Sequence, residues 1–588
     1  MGAIGGTQGA SAEAAWRRAR WPAAAWRRRL AHAGYLLPAF AVYGVFVLWP
    51  LLCVLWLSLQ RWDGYGTPTF IGLSNYATLV AEPGFATELH HSLIWLAVTL
   101  GMPILIGLGL ALLLTRAPAR LACLCRALLL VPLLLPSAVI AVIWKLWYNP
   151  LSGPLTRALD ALGLGALAGD WLGDPRLALG ALLVPACWAS FGLGLLVFGA
   201  ALAAQSAEAH EAAALDGAGT WARFRHLTVP SLRGALPLAM VATALCAVPS
   251  FDLVALLTNG GPGYATTTLE LDMEGRAFGL GQVGSGAALA CVAALIGLVL
   301  TGVALVVARG HTPPGDDTDG GRTLPRPRRG RRVAGLGLIS VTALLLLPVA
   351  WLVVQAGSAG SDGGIGSNIA AVWANGFGTA FARSLGIAGV VTVGAVALAV
   401  PAAFALEQTR SRRGRALGLT LLAVGLFQPT EVLLIPLFSL LQVSHLFNTS
   451  LGVILPEIAR VLPLAILLVW GALRGLPAEL VQAAAADGAA PRQILVRVAL
   501  PLVLPTVTVV AVWTFLSSWN EYLLPTIVLQ DESLQTVPVA LGHFIGRVDT
   551  QYALIATGTL LASAPLLAVY AGGYSVLGAG LRRLRVPT

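Results

Sequence analysis

The sequence predicts an all-α polytopic membrane protein of about twelve transmembrane helices, arranged as two parallel six-helix halves. Three observations carry this. The 588 residues are 57% hydrophobic and only 11% charged, with a mean hydropathy of +0.80, whereas soluble domains lie near half apolar and a quarter charged. Twelve apolar runs reach the ~20 residues needed to cross hydrocarbon. One short stretch occurs twice, as EAAALDGAGTWARFRHLTVP from Glu211 to Pro230 and as QAAAADGAAPRQILVRVALP from Gln482 to Pro501.

The first 32 residues carry six arginines and no apolar core, and read as a basic cytoplasmic tail (1–32) rather than a cleavable signal peptide. Apolar runs at about 34–58, 90–115, 127–148, 180–204, 235–258 and 284–308 make a first transmembrane domain, residues 33–309. Residues 310–332, GHTPPGDDTDGGRTLPRPRRGRR, are too rich in Gly, Pro and charge to bury a core, and form a flexible cytoplasmic linker. Runs at about 333–356, 384–406, 416–441, 451–473, 503–529 and 552–581 make the second domain, residues 333–588. An even number of runs in each half makes the two halves parallel, as in a fusion of two once-separate subunits.

Most of the 37 basic residues fall in alternate connections. That bias places both termini and both repeated stretches in the cytoplasm. It leaves Arg460 on the other side or at an outer helix end, and Trp144, Trp147 and Tyr148 at an outer interface that favours amphipathic rings. Pro50 and Pro348 lie 298 positions apart but the repeats lie 271 apart, so the first half carries extra residues. Most belong to Asn149 to Arg176, which predicts an amphipathic outer helix contacting a partner. The net charge of +10 is accounted for by membrane orientation and excludes a nucleic-acid partner. Six cysteines show no metal-site spacing and read as small buried hydrophobes.

The repeated stretch keeps Ala212/Ala483, Ala213/Ala484, Asp216/Asp487, Gly217/Gly488 and Pro230/Pro501 at the 271 offset. An Ala-rich helix, a Gly that permits reversal and a second short helix over Trp221 to Leu227, ended by Pro230, predict a compact knob for a cytoplasmic socket. Small side chains allow close approach, and Glu211 and Asp216 fix register. The plainer alternative, an Ala-rich turn between spans, does not account for two copies after the fourth run of each half.

These loops resemble the EAA-x-x-D-G coupling signature of permeases in binding-protein-dependent ABC importers. Leu227-Thr228-Val229-Pro230 and Val498-Ala499-Leu500-Pro501 complete it. Phe251-Asp252-Leu253 with Leu257-Thr258-Asn259-Gly260-Gly261-Pro262-Gly263 is similar to one subunit of the maltose/maltodextrin-type sugar permeases. Ser518-Trp519-Asn520-Glu521-Tyr522 with Gln535-Thr536-Val537-Pro538-Val539 is similar to the other. The resemblance implies two fused type I importer-like permease modules in a bacterial inner membrane. It implies coupling through Glu211, Ala212, Ala213, Asp216 and Gly217, and through Gln482, Ala483, Ala484, Asp487 and Gly488, to a cytoplasmic ABC ATPase dimer. It also implies a sugar delivered by an extracytoplasmic solute-binding protein. Gln482 departs from the usual Glu, which predicts a weaker or asymmetric second contact.

The chain itself has no phosphate-binding loop, because its only lysine, Lys145, follows no glycine run. ATP and Mg are therefore expected to be used by a separate ATPase, with no cofactor, metal or catalytic residue in this chain. Polar groups inside spans mark a route or a pairing. Asp252, Gln428, Glu431, Trp519, Asn520 and Glu521 are the candidates, since sugars require hydrogen-bonding groups and aromatic faces. Interhelical pairing accounts for any one of them equally well. His90 and His91 have no carboxylate or cysteine at ligand spacing. The alternative function is an ion-coupled secondary transporter of two six-helix halves, which would have no reason to repeat a protruding knob.

Overall fold

The computed structural model describes residues 25–165, 169–205, 207–247, 251–309, 331–358, 364–409, 411–426, 430–546 and 552–583. The tail to residue 24 and most of the linker lie outside these. Among the described residues, eight helices are long and apolar enough to cross a membrane, one of them, Ile365–Gln408, kinked at Asn375 and Gly376, and two bent pairs bring the number to ten. Five expected runs coincide with unbroken helices over Gly34–Leu57, Pro83–Arg116, Ala178–Ala203, Ser450–Arg474 and Arg332–Gly357. The runs at 384–406 and 552–581 lie in Gly378–Gln408 and Tyr552–Arg583. The expected run at 503–529 starts earlier and stops sooner, because the helix spans Pro491–Trp519 and a separate turn, Leu523–Val528, follows.

The third run of each half departs from expectation in the same way. Ala119–Leu134 and Ser137–Trp147 meet at 99°, and so do Arg412–Leu426 and Glu431–Val443. In the first half Leu135 and Pro136 are extended, with ψ of 138° and 150°. A residue before proline is pushed out of the helical region and the proline nitrogen offers no donor, so the helix stops and restarts. Pro429 stands at the corresponding place in the sequence, outside the described residues. The run at 235–258 contains the helices Ala235–Ala247 and Phe251–Leu257, with residues 248–250 outside the described ones, and the sixth is Val283–Arg309.

The second and fourth spans pack along one another in both halves, Pro83–Arg116 on Ala178–Ala203 and Gly378–Gln408 on Ser450–Arg474. In the first half they cross backbone to backbone. A Cβ on Gly107 would lie 2.5 Å from the Gly194 carbonyl carbon, and one on Gly194 would lie 2.7 Å from the Pro103 carbonyl oxygen. Small residues substitute here for a hydrophobic drive that lipid cannot supply.

Each half lends its first helix to the other. Ala25–Tyr43 packs on Gly378–Gln408 and Ser450–Arg474, and Arg331–Gly357 packs on Pro83–Arg116 and Ala119–Leu129. The Tyr43 hydroxyl donates to the Leu421 carbonyl at 2.7 Å, and the Trp188 indole donates to the Leu345 carbonyl at 2.7 Å. Buried polar tips that find carbonyls across the interface fix its register.

The extra segment contains a helix, Pro154–Ala161, with Thr156 buried and Arg157 and Asp160 exposed. The segment meets both halves: Trp171 stacks on Tyr148 at 6.2 Å, and Asn149 Nδ2 donates to the Tyr552 hydroxyl at 3.1 Å. Trp144 and Tyr148 are buried, and the helix Ser137–Trp147 that carries Trp144 packs on Val537–Gly546 and Tyr552–Arg583 of the second half.

Candidate coupling loops and transport route

Each repeated stretch follows the C-terminal end of the fourth span. The helices Ala207–Leu215 and Ala478–Ala486 both end in a glycine at φ +79°, Gly217 and Gly488. In the first loop the Ala218 amide donates to the Ala213 carbonyl at 2.9 Å and the Gly217 amide to the Ala214 carbonyl at 3.2 Å. In the second, Ala489 donates to Ala484 at 3.1 Å and Gly488 to Ala485 at 3.2 Å. These paired bonds are a Schellman cap, which satisfies the orphan carbonyls and requires a left-handed residue that only glycine adopts without strain. The offset of 271 read from sequence is thus also an offset of backbone geometry.

The continuation repeats as well, and differs from expectation. Phe224–Thr228 and Leu495–Ala499 are π turns, and Pro230 and Pro501 follow them inside the continuing helices. The Val229 amide reaches the Phe224 carbonyl and Leu500 reaches Leu495. Widening the turn to an i→i−5 bond gives the proline ring room that an ordinary turn denies it. Pro230 therefore does not end the second short helix; it marks the turn through which that helix enters the next span.

The loops are seated differently. Val481, Ile494 and Leu495 are buried under the second, whereas their counterparts at the same offset are His210, Arg223 and Phe224, none of them buried. The first loop presents Leu215, 89% exposed, and Trp221, 70% exposed. The second has Ala486 and Arg492 at those places. Glu211, Ala212, Asp216 and Gly217 are exposed, as are Ala483, Asp487 and Gly488, while Ala213, Gln482 and Ala484 are half-buried.

Polar groups of the spans gather between the halves. The Ser137 hydroxyl, first residue after the break in the third span, donates to Asp252 Oδ2 at 2.8 Å. Asp252 also lies within electrostatic reach of Glu521 and Arg460 from the second half. Arg460 Nη2 pairs with Glu521 Oε2 at 2.8 Å, and the Ser518 hydroxyl donates to Glu457. Glu431 occupies the first turn after the break in the second half's third span and interacts with Asp252 and Glu521. Glu457 is 1% exposed and Glu431 3%. Glu431 Oε2, Glu457 Oε1, Asn520 Oδ1 and Arg460 Nε are buried without a hydrogen-bond partner among the described residues.

Asp252, Glu431 and Glu521 thus lie within electrostatic reach of one another, with Asn520 next to Glu521 in the chain. Trp519 does not join them. Its ring packs on Phe381 and Phe515 at centroid distances of 5.4 and 5.9 Å, and its indole donates to the Ala562 carbonyl at 3.0 Å. Gln428 lies outside the described residues. Glu457 and Arg460 were missed, and Arg460 is not at an outer helix end but in the middle of Ser450–Arg474. Their signal was available: two charges three apart inside an apolar run share a helix face. His91 is structural, with Nδ1 3.0 Å from the Thr267 carbonyl oxygen.

Two helical bundles of like topology, each with a capped Ala-rich loop at the end of its fourth span and a polar cluster where they meet, define a duplicated membrane permease. The chain belongs to the family of binding-protein-dependent transport system inner membrane components, matched twice, over residues 103–311 and 395–583. Each matched segment contains one of the two loops. This membership removes the ion-coupled carrier weighed above.

The chain is 32% identical over 285 residues to the trehalose/maltose transport system permease protein MalF of Thermococcus litoralis, covering 48% of this chain and 95% of that protein. It is 31% identical over 268 residues to the sn-glycerol-3-phosphate transport system permease protein UgpA of Yersinia pestis, covering 45% and 90%. The diacetylchitobiose uptake system permease protein NgcF of Streptomyces coelicolor is 28% identical over 308 residues, covering 50% and 86%. A chain of a bacterial ABC transporter involved in the import of the acidic polysaccharide alginate superposes with a TM-score of 0.42 at 19% identity, covering 49% of this chain and 97% of that one.

Proposed function

We infer that this chain is both permease halves of an ATP-driven importer for a sugar or oligosaccharide. A solute-binding protein hands the sugar over at the face remote from the loops. A separate ATPase dimer docks at residues 211–217 and 482–488 on the cytoplasmic face, where both termini also lie. The observation that carries the reading is the exact repetition of the Schellman-capped loop, because one chain then offers one socket-filling knob to each subunit of a dimer. Saccharide names among the relatives support the substrate class. So does the inter-half cluster, whose unpaired carboxylate, amide and guanidinium atoms suit a ligand rich in hydroxyl groups. Those atoms would pair with cargo while the breaks in the third spans line its path.

The test is copurification of the full chain with a candidate ATPase and binding protein, followed by ATP hydrolysis across a sugar panel. Stimulation by one sugar-loaded binding protein, lost on Gly217→Val with Gly488→Val, is the expected result. Uptake that follows a proton or sodium gradient without recruiting an ATPase would overturn it.

A further inference from the structure

The first span of each half ends in the same side-chain clamp, at the end remote from the repeated loops. Asn75 Nδ2 donates to the Ser58 and Gln60 carbonyls at 2.9 and 2.8 Å. Asn368 Nδ2 donates to the Ala356 and Ser358 carbonyls at 3.0 and 3.3 Å. The carbonyls of each pair are two residues apart and lie at or just past the end of the span, which is Leu57 in one half and Gly357 in the other. Carbonyls at a helix end lack partners within the helix, and one side-chain amide satisfies two of them.

Each clamp asparagine belongs to a helix of eight residues, Ser74–Ala81 or Ile365–Val372. Neither runs straight on into the second span of its half: Glu82 is extended, with ψ 126°, and Gly376 lies at φ +87°. The asparagine fixes which face turns inward. Four residues after it Leu79 and Val372 are buried, and five after it Val80 and Trp373 are exposed. Leu73, Ala77 and Val80 line the exposed face in the first half, and Ile365, Ile369 and Trp373 in the second, at the three- and four-residue spacing of one helical face. Neither segment, 69–81 or 364–376, contains a charged residue.

The first spans say what covers these faces. Gly34–Leu57 has 24 residues and Arg332–Gly357 has 26, about 36 and 39 Å of helix, more than the ~30 Å of hydrocarbon. The clamped carbonyls therefore stand at the level of the lipid headgroups. Trp49, Leu52 and Trp56 are exposed along the first span, which sets them against lipid. Trp56 in turn stacks on exposed Phe70 at 5.9 Å, just ahead of the short helix. Val353 and Val354 are exposed at the end of the other first span. An uncharged apolar face continuous with a lipid-facing one matches the boundary between headgroups and acyl chains. Its occurrence in both halves fits a surrounding bilayer rather than a single docked protein.

We propose that Ser74–Ala81 and Ile365–Val372 are paired amphipathic feet lying in the phospholipid interface at the face remote from the repeated loops, clamped to the first spans by Asn75 and Asn368. Each foot then sets the depth of a first span that packs on the opposite half.

The test uses the full chain in a background lacking the native cysteines, reconstituted in vesicles of phosphatidylethanolamine and phosphatidylglycerol, with a nitroxide on Val80→Cys or Trp373→Cys. Relaxation by oxygen, which concentrates in hydrocarbon, is compared with relaxation by a water-soluble nickel chelate. Asp160→Cys replaces a charged, exposed residue of the extra segment and sets the aqueous value. Both foot positions are expected to favour oxygen severalfold over that reference. Adding Asn75→Ala is expected to return the label at 80 toward the aqueous value and to leave the label at 373 unchanged, because each clamp acts in its own half. Nickel relaxation at 80 and 373 equal to that at 160 would overturn the proposal. So would loss of access to both reagents on adding a sugar-loaded solute-binding protein, or an equal response of the two labels, or none, to Asn75→Ala.

Discussion

Replacing Gly217 by valine perturbs the first repeated loop, the proposed coupling site, through its backbone alone. A Cβ at this position meets nothing within 4 Å, so no clash contributes. The residue sits at φ +79°, where a β-branched side chain costs about 1–3 kcal/mol. The two bonds of the Schellman cap hold the reversal and are lost if the chain relaxes to a negative φ. A penalty of that size lowers the population of the knob about five- to 150-fold. ATP hydrolysis stimulated by the binding protein, measured in proteoliposomes, should fall within that range, with insertion and expression unchanged. Gly488→Val should act alike, since its φ is also +79° with nothing near its Cβ. Gly219→Val is the control. Gly219 also has open space around it but not a left-handed backbone, so stimulation should persist. Full stimulation in Gly217→Val, or equal loss in Gly219→Val, would refute the reasoning.

Other perturbations follow from the same geometry. Arg460→Met removes the cation paired with Glu521 in a largely buried setting. It should lower stability by about 3–5 kcal/mol, with partial recovery on adding Glu521→Leu, read from thermal unfolding in detergent. Gly107→Ala forces a Cβ against the Gly194 backbone and should cost about 1–3 kcal/mol. By contrast, Gly109→Ala, with nothing within 4 Å, should be neutral or stabilising by about 0.5–1 kcal/mol. Trp221→Ala removes the largest exposed apolar group of the first loop and should weaken ATPase association by on the order of 2 kcal/mol. Arg492→Ala at the matching place in the second loop should weaken it less, both being read by titration of the purified ATPase.

The geometry of the repeated loops was legible in sequence because a Schellman cap writes itself in residues, an Ala-rich helix and then Gly at a fixed place, and because duplication repeated the signal. The helical class was legible because lipid demands long apolar runs. What escaped was set by tertiary context. The 99° break in the first half depends on Leu135 and Pro136 leaving the helical region together, while Pro185 and Pro401 are carried inside continuous helices. Arg460 looked like an anchor at an outer helix end because its partner, Glu521, lies 61 residues away on another helix. Trp519 looked like a sugar platform because of its neighbours in sequence, yet its ring turns the other way, into Phe381 and Phe515.

The central claim is that one chain docks two ATPase subunits through its two loops. Ala213→Cys and Ala484→Cys, placed one at a time in a background lacking the native cysteines, can each be crosslinked to the copurified ATPase in membranes. The account predicts a crosslink from either position, and both together in one complex holding a single copy of this chain and two ATPase subunits. Absence of any crosslink from both positions, in a preparation that still transports, would contradict it.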